Sequence, residues 1–446
     1  MIAASWHCSL AWLGDEPVRD VLVEAGGDGR ITSVTPGVAA SPDATVLGGI
    51  VLPGFANSHS HAFHRALRGR THDAGGSFWT WRVRMYALAA VLDPDTMFRL
   101  ARAVYAEMVL SGVSGVGEFH YLHHAAEGQR YADPNAMGEA LRAAARDAGL
   151  RLTLLDTCYL SGGIGKPLTE VQMRFGDGDA AGWSDRVRLL SEDDNTRIGA
   201  AVHSVRAVPP DQFSDVAAAM PDRPLHVHLS EQPAENEQCL AAYGMTPTSL
   251  LAEYNLLGPR TTAVHATHLS DDDVHRLGST TTTTCFCPTT ERDLADGIGP
   301  ARALADAGSP LSLGSDQHAV IDMMQEAQAL EMGERVTTLQ RGRFQPSELV
   351  DALTWQGHRC IGWPEAGRIA VGAPADLVAV SLRSVRTAGA LPGQAVLTAS
   401  AVDVTDVFVA GRPVVRSGVH MLGDVAALIE EAIAEVWAAA STGRVG

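Results

Sequence analysis

The sequence predicts an α/β protein: a (β/α)8 barrel of the TIM type, with a small β-sandwich domain formed by both termini. Three observations lead there. Eight short runs rich in Val, Leu, Ile and Thr, too brief for helices, alternate with longer segments of helical pattern. Each run hands over to polar or sulfur-bearing residues at its C-terminal end, histidine above all. Both ends of the chain outside this series read as β structure.

In order, the first 50 residues carry the β-like runs "RDVLVEAG" and "GRITSVTPG". "GGIVLPGFANSHSH" then ends in His59 and His61, "GVSGVGEFHY" in Glu118, His120 and Tyr121, and "LRLTLLDTCY" in Asp156, Cys158 and Tyr159. "RIGAAVHSVR" ends in His203 and Arg206, "PLHVHLSE" in His228 and Glu231, and "TTAVHATH" in His265 and His268. "TTTTTCFCP" and "PLSLGSDQH" follow, the latter delivering Asp316. Among the intervening helices, "DPDTMFRLARAVYAEMVLSG" and "DPNAMGEALRAAARDAG" open on Asp, a good N-cap, and close at Gly. The barrel is assigned to residues 52–364. After it, "GAPADLVAVSL" and "VTDVFVAGRPVV" read as strands, so residues 1–51 and 365–420 form the small β domain. In the last segment, 421–446, "VAALIEEAIAEVWAAA" has apolar residues at helical spacing and reads as a helix covering that domain or the barrel.

Eight alternations also suit an open doubly wound sheet, and the polar residues decide between the two. In a closed barrel all eight strand ends share one mouth, so His59, His61, His228, His265 and Asp316 meet there. An open sheet leaves its first and last strands too far apart for that. A competing reading makes "ANSHSHAFHRAL" a His-rich surface turn after a buried strand, since a HisXaaHis pair alone supplies only two of the ligands a zinc site needs.

Composition restricts the function. The chain has 446 residues, 46% of them hydrophobic, and a net charge of −18 from 34 basic against 52 acidic residues. That balance gives nucleic acid or an anionic membrane no electrostatic hold, so a small-molecule partner is expected. Six scattered cysteines and an opening "MIAASWHCSLAW" without a basic n-region and apolar h-region suggest a reduced, cytoplasmic chain. No apolar stretch reaches the roughly 18 residues of a spanning helix.

At these strand ends the chain resembles the amidohydrolase superfamily in its mononuclear deaminase branch. The resemblance implies a metal held by His59, His61, His228 and Asp316, with His265 close by. "HLSE" at 228–231 is similar to the branch's motif in which a Glu three residues after the ligand moves protons, giving Glu231 that role. A narrower resemblance points to formimidoylglutamate deiminases, through "SFWTWR" (77–82), "EFHYLHH" (118–124), "HSVR" (203–206) and "CPTTERDLADG" (287–297). It implies that Arg82, Tyr121, His203 and Arg206 hold a glutamyl portion. The best-known members have Gln where this chain has His64.

The chemistry of the residues agrees. Three imidazoles and a carboxylate make a nitrogen-and-oxygen set suited to one Zn2+ per chain, with Fe2+ or Mn2+ as lesser fits. Such an ion lowers the pKa of a bound water, and Asp316 and His265 are placed to orient that water and take its proton. Glu231 would face the wrong side of an ideal strand, so it must sit where the strand gives way to a loop. His64, three past His61 in "AFHRAL", reads as a turn entering a helix, bound to substrate rather than metal. The chain's one lysine, Lys166, lies in the Gly-rich "SGGIGKPL" rather than at the end of the fourth barrel strand, where binuclear relatives carry a bridging carboxylated lysine; a single metal follows. Arg82 and Arg206 suit a dicarboxylate, because the planar guanidinium binds carboxylates in two parallel hydrogen bonds. Cys285 and Cys287 read as small buried hydrophobes, Trp79 and Trp81 as packing, and His120, His123, His124 and His268 as hydrogen-bonded loop or supporting residues.

The expectation is a zinc-dependent hydrolytic deaminase, a homodimer, converting N-formimino-L-glutamate and water to N-formyl-L-glutamate and ammonia in histidine degradation. The alternatives are a deaminase of a cyclic amidine such as a purine or pterin base, and a non-catalytic barrel scaffold.

Overall fold

The predicted first run, "GGIVLPGFANSHSH", is two strands belonging to different sheets. Residues 2–71 and 78–442 are described by a computed structural model. In it Ile50–Pro53 pairs with the terminal sheet, and Phe55–Ser60 begins the barrel. Gly54 is the joint. A Cβ there would stand 2.2 Å from Ser114 Oγ and 2.7 Å from Asp376 Cβ, so only glycine lets the chain pass between the two sheets.

The terminal sheet contains β1 (Ile2–Leu13), β2 (Glu16–Gly26), β3 (Ile31–Thr35), β4 (Thr45–Leu47) and β5 (Ile50–Pro53). The barrel contains β6 (Phe55–Ser60), β7 (Val113–His120), β8 (Arg151–Cys158), β9 (Thr196–Val202), β10 (Leu225–Leu229), β11 (Thr261–His265), β12 (Thr283–Phe286) and β13 (Leu311–Leu313). The chain then returns to the first sheet as β14 (Leu377–Val380), β15 (Val404–Val409), β16 (Arg412–Arg416) and β17 (Val419–His420).

β6 to β13 lie side by side in chain order, every pair parallel. The ring closes between its first and last strands. His61 N–H donates to Asp316 O at 3.1 Å and Asp316 N–H donates to His59 O at 3.0 Å, around a bridge from Ser60 to Asp316. The fold is therefore a TIM barrel, and the hydrogen bonds that seal it run through three residues of the polar mouth.

β14 lies antiparallel to β5, joining the two chain ends into one nine-stranded mixed sheet. β1 and β15 are three places apart in that sheet, roughly 14 Å if it were flat. The Trp6 and Phe408 rings nevertheless meet at 5.3 Å. The sheet thus curls over its own core of Trp6, Val21, Val23, Val51 and Leu377, which makes a sandwich from a single sheet.

The helix Pro94–Leu110 starts as predicted, with Asp93 and Thr96 in a reciprocal capping box. The helix predicted to open at Asp133 starts later: it spans Ala136–Ala148 with Asn135 at the N-cap, and Asp133 instead accepts from Asn135 N–H at 2.9 Å. The last helix, Val425–Thr442, covers the barrel: Glu435 pairs with Arg99, and Trp437 Nε1 donates to Ala66 O at 2.8 Å. Among the described residues, no helix is long and apolar enough to cross a membrane.

Candidate active site

The strand ends at the barrel mouth do not finish as relaxed loops. Ser230 after β10, His265 and Ala266 at the end of β11, and Asp316 and His318 after β13 all have φ between 42° and 70°. Non-glycine residues pay about 1–3 kcal/mol each for that region, a strain that clusters where a site needs side chains aimed inward. Ser230 also supplies the break in β10 that the position of Glu231 required.

His59, His61, His228 and Asp316 meet at the bottom of the mouth, all buried. His61 Nδ1 lies 2.9 Å from Phe119 O, and His228 Nδ1 lies 3.0 Å from His203 O. A carbonyl can only accept, so both Nδ1 atoms carry hydrogen and both Nε2 atoms face the cluster bare. Nε2 of His228 is 3.1 Å from that of His59 and 3.4 Å from that of His61; Asp316 Oδ1 is 3.4 Å from each of the strand-end pair. A tetrahedron of zinc-like bonds of about 2.0–2.1 Å has edges of about 3.3 Å, so these four donors fit a divalent metal ion. Burial pushes the His59 imidazole down to about 3 and His61 to about 4, and lowers His228 well below its ordinary value. All three are therefore neutral near pH 7, the form that binds metal. Burial works against the Asp316 carboxylate, but hydrogen bonding and charge from His59, His265 and His61 hold its pKa far below the ordinary range.

His265 stacks on His228, with ring centroids 5.6 Å apart. Its Nε2 is 3.9 Å from Glu231 Oε1 and its Nδ1 is 3.4 Å from Glu291 Oε1. Burial opposes its protonation, yet Glu231, Glu291 and Asp316 together raise it to about 10. Burial raises the Glu231 carboxyl against the pull of His265 and Arg206.

Above this floor a cavity, open at its mouth, is lined by His64, Arg82, Tyr121, His203, Arg206, Glu231 and His265. Every residue assigned to substrate from the sequence borders it. A 3-10 helix, Ala62–Leu67, turns His64 back beside His61, with rings 4.5 Å apart; its Nε2 is hydrogen-bonded to the Tyr121 hydroxyl at 2.9 Å. Arg206 is already engaged: its Nε donates to Glu235 at 2.7 Å, and Nη2 is 3.7 Å from Glu231. Arg82 donates to the Tyr86 hydroxyl at 2.6 Å. The side chain of Trp79 lies outside the described residues, whereas Trp81 is buried against His64 and borders the cavity.

Several residues here have no role in the site that the sequence assigns. Glu291 lies within "CPTTERDLADG"; its carboxylate accepts from Cys287 N–H at 2.8 Å and faces His265. Glu118 stands at the end of β7 and accepts from Ser60 Oγ and Ala62 N–H, both at 2.6 Å, holding the residues on either side of His61. Tyr86, Tyr159, Phe175 and Lys166 also line the cavity. An alternation pattern identifies strand ends but not which loop or helix folds over them. His268 donates to Asp296 O, and Cys285 and Cys287 pack with Val264. His120, His123 and His124 lie in a separate buried cluster.

A model of the amidohydrolase family matches residues 50–414. Formimidoylglutamate deiminase of Pseudomonas aeruginosa is 38% identical over 421 residues, covering 90% of this chain and 92% of that protein. The 8-oxoguanine deaminase of the same organism is 29% identical over 85% of both. An amidohydrolase of Brucella melitensis superposes with a TM-score of 0.91 at 32% identity, over 97% of this chain and all of that one. With the mouth, the four-donor cluster and these matches in agreement, the chain belongs to the amidohydrolase family of metal-dependent hydrolases and acts on carbon–nitrogen bonds.

Proposed function

We propose that this protein is a zinc-dependent hydrolytic deaminase that converts N-formimino-L-glutamate and water to N-formyl-L-glutamate and ammonia, with His59, His61, His228 and Asp316 holding one zinc ion. The observation that supports it best is the joining, in one cavity, of a four-donor metal cluster with Arg82, Tyr121, His203 and Arg206. The 38% identity to a formimidoylglutamate deiminase over 90% of the chain supports it further. The nitrogen-and-oxygen donor set favours zinc.

When bound, the ion supplies an activated water at neutral pH and polarises the amidine. Asp316, held ionised, would orient that water and accept its proton, while His265, which its carboxylate neighbours keep protonated, would hydrogen-bond it. Glu231, 3.9 Å from His265 Nε2 and raised by burial, would take that proton over and carry it to the leaving nitrogen, so that ammonia departs and a formyl group remains. Tyr121, His203 and His64 fix the glutamyl portion, and the arginines meet its carboxylates. Arg206 binds one carboxylate while Glu235 keeps its guanidinium oriented.

The test pairs elemental analysis with an ammonia assay. One divalent ion per chain and ammonia release from N-formimino-L-glutamate are expected. Two tightly held metals, or release from a purine or pterin alone, would displace the reading. The aromatic lining by Phe78, Trp81, Tyr86 and Tyr159 is what favours that second, cyclic substrate.

A further inference from the structure

Thirty-four side chains in this protein are lysine or arginine, and only Lys166 is a lysine. It stands at the mouth of the catalytic cavity, exposed, and among the described residues its ammonium makes no hydrogen bond or ion pair. The two arginines lining the same cavity are both occupied. Arg206 is buried against Glu235 at 2.7 Å, and Arg82 holds the Tyr86 hydroxyl at 2.6 Å.

The loop presenting Lys166 is firmly built. Leu160 and Ser161 N–H both donate to Ala207 O, next to Arg206, at 2.7 and 2.9 Å. Gly162 N–H donates to Lys166 O at 3.0 Å and Lys166 N–H donates to Gly163 O at 2.9 Å, closing a tight turn. A Cβ on Gly162 would lie 2.4 Å from Pro167 O and 2.8 Å from Gln172 Oε1, so this closure needs glycine. Gln172 in turn donates to the hydroxyls of Tyr159 and Tyr86, both at 2.9 Å, tying the loop to the cavity wall. The backbone at Lys166 is thus fixed while its ammonium has no hydrogen-bond or ion-pair partner among the described residues.

A substrate whose reacting group lies at the metal cluster extends its other end toward this mouth. A dicarboxylate brings two negative charges; Arg82 and Arg206 on the cavity wall each already hold a protein partner, so a carboxylate that they meet keeps lone pairs for a further cation at the mouth. We propose that Lys166 is the mouth-side receptor for a carboxylate of the substrate and selects dicarboxylate over monocarboxylate ligands. The assignment deepens the proposed reading of an anionic amidine substrate and rests on it. A flexible, strongly hydrated point charge suits an entrance, where ligand must be both captured and released.

The test measures binding of glutarate and of butyrate to the metal-loaded protein by calorimetry, in wild type, Lys166→Met and Lys166→Arg, with metal content and melting temperature as controls. Lys166→Met should weaken glutarate on the order of tenfold at low salt, with a smaller effect at high salt, and leave butyrate unchanged. Lys166→Arg should restore most of the affinity. Equal glutarate affinity in wild type and Lys166→Met, equal losses for both ligands, or no glutarate binding by wild type would each overturn the assignment. If Lys166-dependent glutarate binding is found but N-formimino-L-glutamate releases no ammonia, the substrate reading falls and the carboxylate receptor stands.

Discussion

Two buried clusters of imidazole and carboxylate sit at strand ends of the same barrel, and they differ in whether the aspartate's charge is already matched. In the first, His59, His228, His265 and Asp316 bring potential ligand atoms within 4.8 Å of one another. In the second, His120, His123 and Asp156 do the same. The difference is what the aspartate already holds. Asp156 accepts from Arg186 through both oxygens at 2.8 Å and from Trp183 Nε1 at 2.9 Å, while Arg186 also pairs with Asp177. His123 spends Nε2 on Thr157 O. A guanidinium occupies the place of the cation, and the charge is matched inside the protein. Among the described residues the Asp316 carboxylate pairs with imidazoles only, and it borders the cavity. Close donors therefore do not make a metal site; an unmatched carboxylate with bare nitrogens around it does.

The sharpest way to break this comparison is to neutralise each aspartate in turn. Asp316→Asn should strip the metal and, since metal activation is worth several kcal/mol, lower kcat/KM on the order of a thousandfold or more. Asp156→Asn should keep one metal per chain. Metal loss from Asp156→Asn with retention in Asp316→Asn would reverse the assignments.

A smaller effect separates the clusters by stability. Asp156→Ala leaves Arg186 with part of its charge uncompensated and should cost about 3 kcal/mol of unfolding free energy, read by denaturant titration of the metal-loaded protein. The pH dependence has a definite sign. Burial works to raise Asp156, but Arg186 and His123 hold it at about 2 against an ordinary 3.8. The carboxylate's contribution is therefore fully present above about pH 4 and lost as pH falls toward 2. Wild type should lose stability more steeply than Asp156→Asn across that window; parallel curves would show that the network adds nothing.

The mildest change concerns the histidine-rich stretch. His64→Gln should retain metal and keep activity within about tenfold, because an amide also offers a hydrogen-bond donor to the cavity. His61→Gln should lose both, an amide being a poor zinc ligand. If kcat collapses in His64→Gln with metal still bound, His64 carries a proton rather than a hydrogen bond.

The barrel was legible because each strand leaves a short apolar run and each run ends in groups that only a shared mouth brings together. His59, His61, His228, His265 and Asp316 could be named on that ground from 446 residues of sequence. Roles for Glu291 and Glu118 could not. Glu118 stands among the strand-end groups and Glu291 in a helical segment, but what gives each a role is a carboxylate turned toward His265 or toward the residues flanking His61. The resemblance assigned Arg206 to substrate without revealing Glu235, because an ion pair between two elements leaves no local spacing to read.

Alternating apolar runs, strand-end histidines and the charge balance are local or global properties of the chain, and by themselves they determined the barrel, the donor types and a small-molecule partner. Which aspartate faces an open cavity, which arginines are already paired, and where the lone lysine reaches were decided only by the tertiary structure. The physical reason is that a donor's chemistry depends on its remaining lone pairs and charge, and those are set by neighbours distant in sequence: Trp183 and Arg186 for Asp156, and His59 and His61 for Asp316.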